Sequence, residues 1–298
     1  MALVLDGKAC AQAIEAELKT EIPTLSAIPK LVLILVGSNP DSKTYIRLKK
    51  NACTRVGIDV EVVELPDDVA FEHLVGLIDG KNTDPTVHGV LVQLPLPVHL
   101  QAREQAVLHS IAPGKDVDGL HPAHFYQLPK ARPSGSDAHQ EHVFLEPCTP
   151  AGCLELMHRN GIDVAGKDVV MVGRGQLVGL PLSLMLLQRN ATVTTCHSQT
   201  TNLEEKVKQA DVVIVGVGKP KLIKGTWIKP GAVVIDVGIN YVDDPSSKKG
   251  YKILGDVEYE AAKERASAIT PVPGGIGPMT IAMLLRNTVE SAKFTTKH

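Results

Sequence analysis

A chain of 298 residues, 44% hydrophobic and 21% charged, carries enough apolar material for two cores and has no compositional bias toward disorder. Its 31 Lys and Arg stand against 33 Asp and Glu without long runs of one sign. That leaves no electrostatic footprint for nucleic acid or an anionic membrane, and makes small molecules the expected partners. Cys10, Cys53, Cys148, Cys153 and Cys196 are odd in number, scattered and without CxxC spacing, so neither a disulfide framework nor a metal site is expected.

The first residues lack a basic and then apolar leader, and no stretch approaches the roughly 18 apolar residues of a membrane span. A reducing compartment follows, the cytoplasm being expected and an organelle left open. In chain order, Ile14, Leu18 and Ile22 recur at helical spacing, and Leu31 to Val36 reads as a buried strand ending at Gly37. Ser38 to Ser42 is a turn and cap cluster opening a second helix, predicted to run to about Val56 and stop at Gly57.

On that helix Tyr45 and Lys49 are four residues apart and share a face, with Cys53 continuing the line. Leu48, Ala52 and Val56 form the apolar stripe expected to dock, while Lys43, Arg47 and Lys50 point to solvent. By spacing alone, Tyr45 and Lys49 read as a helix rim. Their neighbours in the sequence argue for chemistry. Val60 to Leu65 and Val87 to Leu94 are predicted strands, the second closing with Gln93-Leu-Pro-Leu-Pro97, and Lys115-Asp-Val-Asp-Gly119 follows. Strand ends are where α/β folds place ligands. A lysine desolvated there has a lowered pKa and moves protons near neutral pH, and a Gln orients it without adding charge. An ionised Asp accepts hydrogen bonds from a ligand with adjacent N–H donors, although Asp116 and Asp118 read equally well as a turn-forming acidic loop.

Pro129 to Pro147 is rich in Pro, Ser and His without apolar periodicity and reads as a linker, so a second domain begins near Cys148. Asp168 to Val172 is a predicted strand. It is followed by a Gly-rich turn, a helix from Val178 to Asn190, and strands at Thr192 to Cys196, Asp211 to Val215 and Ala232 to Asp236, a Rossmann-like series. The turn, Gly173-Arg-Gly-Gln-Leu-Val-Gly179, has GxGxxxG spacing and the strand-turn-helix context that binds a pyrophosphate. No carboxylate stands at the end of the second strand to bind a ribose hydroxyl. Arg174 and Ser198 read instead as holding a 2′-phosphate, which makes NADP the expected cofactor, the alternative being that Arg174 is a solvated loop residue. Gly216-Val-Gly218 allows close approach to the ribose or nicotinamide, or is a plain turn. Met279 to Ala292 is a final helix expected to return to the first domain.

Five blocks, Tyr45-Ile-Arg-Leu-Lys49, Val92-Gln-Leu-Pro-Leu-Pro97, Lys115-Asp-Val-Asp-Gly119, Pro147-Cys-Thr-Pro150 and Pro271 through Thr280, occur in one order over nearly the whole chain. Together they resemble the bifunctional methylenetetrahydrofolate dehydrogenase/cyclohydrolase family. The resemblance implies an α/β fold of two domains with a cleft between them: a folate-binding catalytic domain over residues 1–147 plus 279–298, and an NADP-binding Rossmann-like parallel sheet over 148–278. It implies oxidation of 5,10-methylenetetrahydrofolate and hydrolysis of the product to 10-formyltetrahydrofolate, by a homodimer. By the same resemblance Lys49 transfers the proton, Gln93 tunes it, Tyr45 stacks on the aminobenzoate ring and Asp118 holds the pterin amine. Val92, Leu94, Pro273, Gly274 and Gly275 line the folate site, and Thr149, Gly173, Arg174, Gly175, Ser198, Gly216, Gly218 and Ile239 contact NADP.

Three features depart from the family pattern. Gly175-Gln176 replaces the usual Ser after the Arg of the turn, His121 to Phe125 lacks an expected Asn, and the stretch from Lys130 to Glu146 is longer than usual. Two other readings of the chain are another NADP-dependent dehydrogenase of the same architecture and a nucleotide- or folate-binding protein without turnover. The first leaves Tyr45, Gln93 and Asp118 unexplained, and the second leaves Lys49 and Gln93 unexplained.

Overall fold

The computed structural model describes residues 2–129, 143–247 and 250–295. In chain order the elements are β1 (Leu3–Val4), α1 (Gly7–Glu21), β2 (Lys30–Val36), α2 (Pro40–Val56), β3 (Asp59–Leu65), α3 (Phe71–Thr83), β4 (Gly89–Val92), α4 (Val98–Gln101), α5 (Glu104–His109) and α6 (Pro122–Phe125). They continue with α7 (Cys148–Arg159), β5 (Asp168–Val172), α8 (Gly179–Gln188), β6 (Thr192–Cys196), α9 (Leu203–Gln209), β7 (Val212–Val215), β8 (Val233–Asp236), β9 (Asn240–Asp243), β10 (Tyr251–Leu254), α10 (Tyr259–Lys263), β11 (Ala268–Ile269) and α11 (Ile276–Thr295). The chain divides into two compact units. One is built on Gln12–Gln127 with the segment from Ile281 onward, the other on Thr149–Thr280 with the N-terminal segment up to Ala11. Most of the predicted loop at 130–146 lies outside the described residues.

The first unit holds a three-stranded parallel sheet in the order β3-β2-β4. Its central strand is an unbroken apolar run, Leu31 to Val36, with every one of those residues buried. That is the pattern of a parallel strand covered on both faces. Pro95 and Pro97 have no N–H to donate to a ladder, and the predicted strand from Val87 to Leu94 shortens to β4. At the head of α2 the Asn39 side chain accepts from the backbone N–H of Asp41 at 2.9 Å and of Ser42 at 3.1 Å. Gly57, at φ 93°, closes the helix in the left-handed cap that glycine adopts freely.

The docking stripe of α2 differs from expectation. Leu48 is 44% exposed, and the buried residues are Ser42, Ile46, Lys49, Ala52, Cys53 and Val56. At about 100° per residue, each four-residue step turns the helix by about 40°. Leu48 therefore lies well off the centre of the face that Ser42, Lys49 and Cys53 mark.

The final helix begins at Ile276, earlier than expected, because Pro278 falls within the first turn, where backbone N–H groups have no intrahelical acceptor. Within the first unit its Asn287 amide donates to the carbonyls of Val117 (2.9 Å) and Glu146 (2.8 Å), and its Ser291 hydroxyl donates to those of His88 and Gly114.

The second unit holds a six-stranded parallel sheet in the order β1-β11-β8-β7-β5-β6. β1, which precedes the first helix, pairs in it with β11. From β5 the chain runs through α8 to β6 on one side and then crosses back through α9 to β7 on the other. The carboxyl ends of β5 and β7 thus flank a topological switch point, the crevice where such sheets bind ligands. Among the described residues no helix is long and apolar enough to cross a membrane, and no group of three or more His, Cys, Asp or Glu side chains is placed to hold a metal ion.

Candidate active site

In the first unit, Gln93 follows β4 directly, and its backbone N–H donates to Ile34 at 2.8 Å, which extends the ladder by one residue and fixes where the side chain starts. The Gln93 Nε2 group donates to the Leu94 carbonyl at 2.8 Å, leaving Oε1 to accept from Lys49 Nζ at 3.0 Å. The amide is thereby held with its oxygen toward the lysine. Lys49 is only 9% exposed. Burial pushes its ammonium pKa down from the usual lysine value, against the opposing attraction of Asp118.

Two thiols also face Lys49. Burial pushes Cys53 up to about 12 and Cys148 well above its ordinary value, so both are neutral near neutral pH. The formal charge set against the ammonium is therefore the Asp118 carboxylate. Tyr45 is half-buried one turn before Lys49, and Ser42, one turn earlier on the same face, is 2% exposed with a hydroxyl that has no hydrogen-bond partner among the described residues.

The two acids of the Asp116-Val-Asp118 motif divide the alternatives left open by the sequence. Asp116 is the turn former. It is 2% exposed, and its carboxylate accepts from the backbone N–H of His121 at 2.6 Å and from those of Leu120 and Gly119, with burial pushing it up to about 7. Asp118 is half-buried, coupled electrostatically to Lys49, and shares with the Val117 carbonyl, 3.2 Å from Cys148 Sγ, the single S–H donor of that thiol. Val92 packs in the hydrophobic core beneath the sheet's end, and Leu94 is half-buried.

In the second unit, Gly173 has φ 128°, and a Cβ there would meet the Gly216 carbonyl at 2.5 Å. A Cβ on Gly179 would collide with the Gly173 carbonyl and the Arg174 N–H. The turn after β5 is thus a bare-backbone cradle at the head of α8, with Arg174 exposed beside it, and this fits a dinucleotide phosphate. At Gly175, by contrast, a Cβ would have nothing within 4 Å. Ser198 is exposed just beyond β6, Ile239 is exposed after β8, and the Thr149 and Thr280 hydroxyls are 3.0 Å apart. Gly216 and Gly218 lie in the loop after β7, next to the turn. Pro273 is exposed and Gly274 and Gly275 are progressively more buried in the segment leading into α11.

Two family models match this sequence: the tetrahydrofolate dehydrogenase/cyclohydrolase catalytic domain over residues 5–118, and the NAD(P)-binding domain of the same enzymes over residues 147–296. The chain belongs to the tetrahydrofolate dehydrogenase/cyclohydrolase family. It is 49% identical over 296 residues to bifunctional protein FolD 2 of Geobacter sulfurreducens, covering 98% of both chains. It is also 49% identical to the chloroplastic bifunctional protein FolD 4 of Arabidopsis thaliana, covering 98% of this chain and 79% of that one. Among solved structures it is similar to the Trypanosoma brucei methylenetetrahydrofolate dehydrogenase-cyclohydrolase (FolD) complexed with NADP cofactor and inhibitor. The TM-score is 0.92 at 40% identity, with 100% of this chain and 99% of that one covered.

In this tetrahydrofolate dehydrogenase/cyclohydrolase, Lys49, Gln93, Leu94 and Asp118 come together within the first unit, on the face of α2 that also carries Tyr45. The Gly-rich turn, Thr149, Ser198, Gly216, Gly218, Ile239 and the Pro273 to Gly275 segment belong to the second. Three residues escaped the sequence reading as members of the Lys49 cluster or its surroundings. Cys148 sat inside a recognised block, Cys53 continued the Tyr45/Lys49 line, and Ser42 was read only as part of a cap. The signal for Ser42 was its spacing, three residues before Tyr45 and seven before Lys49 on one helical face.

Proposed function

We propose that this chain oxidises 5,10-methylenetetrahydrofolate to 5,10-methenyltetrahydrofolate with NADP, and hydrolyses that product to 10-formyltetrahydrofolate. The observation that carries the reading is the buried Lys49 ammonium, held at 3.0 Å by an oriented Gln93 amide and opposed by the charge of Asp118. Hydrolysis adds water to the methenyl carbon, and the cationic substrate makes that carbon electrophilic. As the C–O bond forms, Lys49 in its neutral form takes one water proton, and it returns that proton to N5 as the C–N5 bond breaks. The second water proton leaves to solvent when the formyl carbonyl forms. Desolvation favours the neutral form of the lysine, and Gln93 aims its lone pair without adding a charge that would hold the proton.

Tyr45 stacks on the aminobenzoate ring and Asp118 accepts the pterin N–H donors, while Val92, Leu94, Pro273, Gly274 and Gly275 complete the folate contacts. NADP, when bound, supplies the hydride acceptor for the oxidation. The backbone amides of Gly173, Arg174 and Gly175 at the head of α8 bind its pyrophosphate, and Arg174 with Ser198 holds the 2′-phosphate. Thr149, Gly216, Gly218 and Ile239 contact the rest of it. In this reading residues 1–147 with 279–298 form the catalytic domain and residues 148–278 the NADP domain, in a cytoplasmic homodimer, except that the N-terminal segment up to Ala11 goes with the second unit through the pairing of β1 with β11.

The test is a two-wavelength assay with methylenetetrahydrofolate, following reduced cofactor and the methenyl chromophore separately. Lys49→Gln is expected to abolish hydrolysis in a folded protein, and unchanged hydrolysis refutes the role of Lys49. NADP is expected to give the higher kcat/KM, and parity with NAD refutes the role of Arg174.

A further inference from the structure

The loop that follows β7, Val217 to Lys219, is held by a side chain far away in sequence. Three successive backbone N–H groups converge on one carboxylate: those of Val217 at 2.6 Å and Gly218 at 3.0 Å reach Asp256 Oδ2, and that of Lys219 at 2.8 Å reaches Oδ1. The Asn240 amide adds a fourth donor to Oδ1 at 2.9 Å. Asp256 is fully buried. Successive N–H groups around a left-handed residue, here Gly218 at φ 65°, form a concavity that binds anions. In this fold an internal carboxylate fills it.

Asp256 is itself anchored. Its backbone N–H and that of Val257 donate to the Asp236 carboxylate at 3.0 and 2.8 Å, and Gly238 N–H donates there at 2.9 Å. Two backbone approaches make the pair possible, since a Cβ on Gly238 would strike the Asp256 carboxyl and one on Gly255 would strike that of Asp236. Asp236 ends β8, whose neighbour β7 leads into the clamped loop, so the clamp ties the loop to the sheet end beside it. The loop in turn meets the Gly-rich turn, where the Gly216 carbonyl occupies the space a side chain on Gly173 would need.

We infer that Asp256 is a positioning residue for the cofactor, presetting the 216–219 loop against the Gly173 turn so that this edge of the NADP site needs no ordering when the cofactor binds. The inference rests on the reading that this loop contacts NADP. Preorganisation of this kind acts on affinity through the entropy of ordering that binding no longer has to supply. It predicts that the loop contributes its outer surface to the cofactor, since its N–H donors are already committed.

The decisive variant is Asp256→Asn, which keeps the shape but turns an NH2 group toward one pair of donors. NADPH binding is followed by fluorescence titration, and methenyltetrahydrofolate hydrolysis is measured without nucleotide. The expected result is a rise of about tenfold or more in the NADPH dissociation constant and in the KM for NADP, with kcat and KM for hydrolysis within about twofold of wild type. Asn240→Ala, which removes one donor and leaves the carboxylate, is expected to weaken NADPH about threefold by the same route. Wild-type NADPH affinity in folded Asp256→Asn, or in Asn240→Ala should the first variant not fold, overturns the inference. So does parallel loss of hydrolysis and NADPH binding, which would make Asp256 a residue of the fold alone. A wild-type chain that binds no NADPH overturns the cofactor reading, and the clamp with it.

Discussion

Replacing Gln93 with Glu changes one atom group and places a carboxylate where an amide oxygen now accepts from Lys49 Nζ at 3.0 Å. Two unit charges about 4 Å apart at an effective dielectric near 20 attract by about 4 kcal/mol, which corresponds to about 3 pKa units. The new carboxylate is partly desolvated and shares Lys49 with the Asp118 carboxylate, and both effects oppose its ionisation, so the net rise in the Lys49 pKa is about 1 to 3. At any pH below the wild-type lysine pKa the fraction of neutral lysine, and with it the rate of base-assisted hydrolysis, then falls by about 10- to 1000-fold.

Oxidation needs no base at this position, so NADPH formation is expected to fall far less and the methenyl intermediate to accumulate. Stopped-flow decay of the methenyl chromophore over a range of pH measures this directly. In the wild type, hydrolysis rises with pH through a lysine pKa below the ordinary value, and in Gln93→Glu the same rise moves to more alkaline pH. A variant that hydrolyses at the wild-type rate, or that slows without moving its pH profile, refutes the electrostatic role given to Gln93.

Gly175→Ser is expected to strengthen NADP binding, because a Cβ there meets nothing within 4 Å and the added hydroxyl would stand in the turn proposed to bind the cofactor phosphates. One new hydrogen bond to a charged phosphate predicts a fall of about tenfold in the NADP dissociation constant, measured by titration, and an unchanged or weakened affinity argues against it. Asp116 makes stability depend on pH. Its folded pKa of about 7 lies above the ordinary 3.8, so its protonated form is the one the fold favours. That contribution is complete below about pH 4 and is lost as pH rises to about 7, an effect of up to about 4 kcal/mol. Urea unfolding at several pH values is expected to show a shallower decline for Asp116→Asn than for wild type over this window. Asp236, pushed up to about 6, supplies a remaining slope in both, and identical slopes in the two proteins count against the burial argument.

Much of the architecture was legible in the residues themselves. Continuous apolar runs at Leu31 to Val36 and Val169 to Val172 announced buried strands, and the cap cluster Ser38 to Ser42 with Gly57 bounded α2 because capping is local chemistry. The glycines at 173 and 179 announced a turn whose backbone is approached closely, and Tyr45 and Lys49 shared a face because helical geometry allows nothing else.

What lay beyond the sequence were relations between residues distant along the chain. Whether Asp116 or Asp118 turns inward depends on which backbone N–H groups the following turn presents, and the motif is the same either way. Leu48 looked like a docking residue until the packing of α2 set the centre of its buried face some 100° away. The partner of β1 is a strand more than 260 residues later, and the carboxylate that holds the loop after β7 comes from a residue nearly 40 positions further on. Propensity, period and capping act within a few residues and so appear in the sequence. Burial, charge opposition and the choice of hydrogen-bond acceptor are decided by which segments pack together, and they turned Lys49 from a helix-rim lysine into a desolvated one held by Gln93.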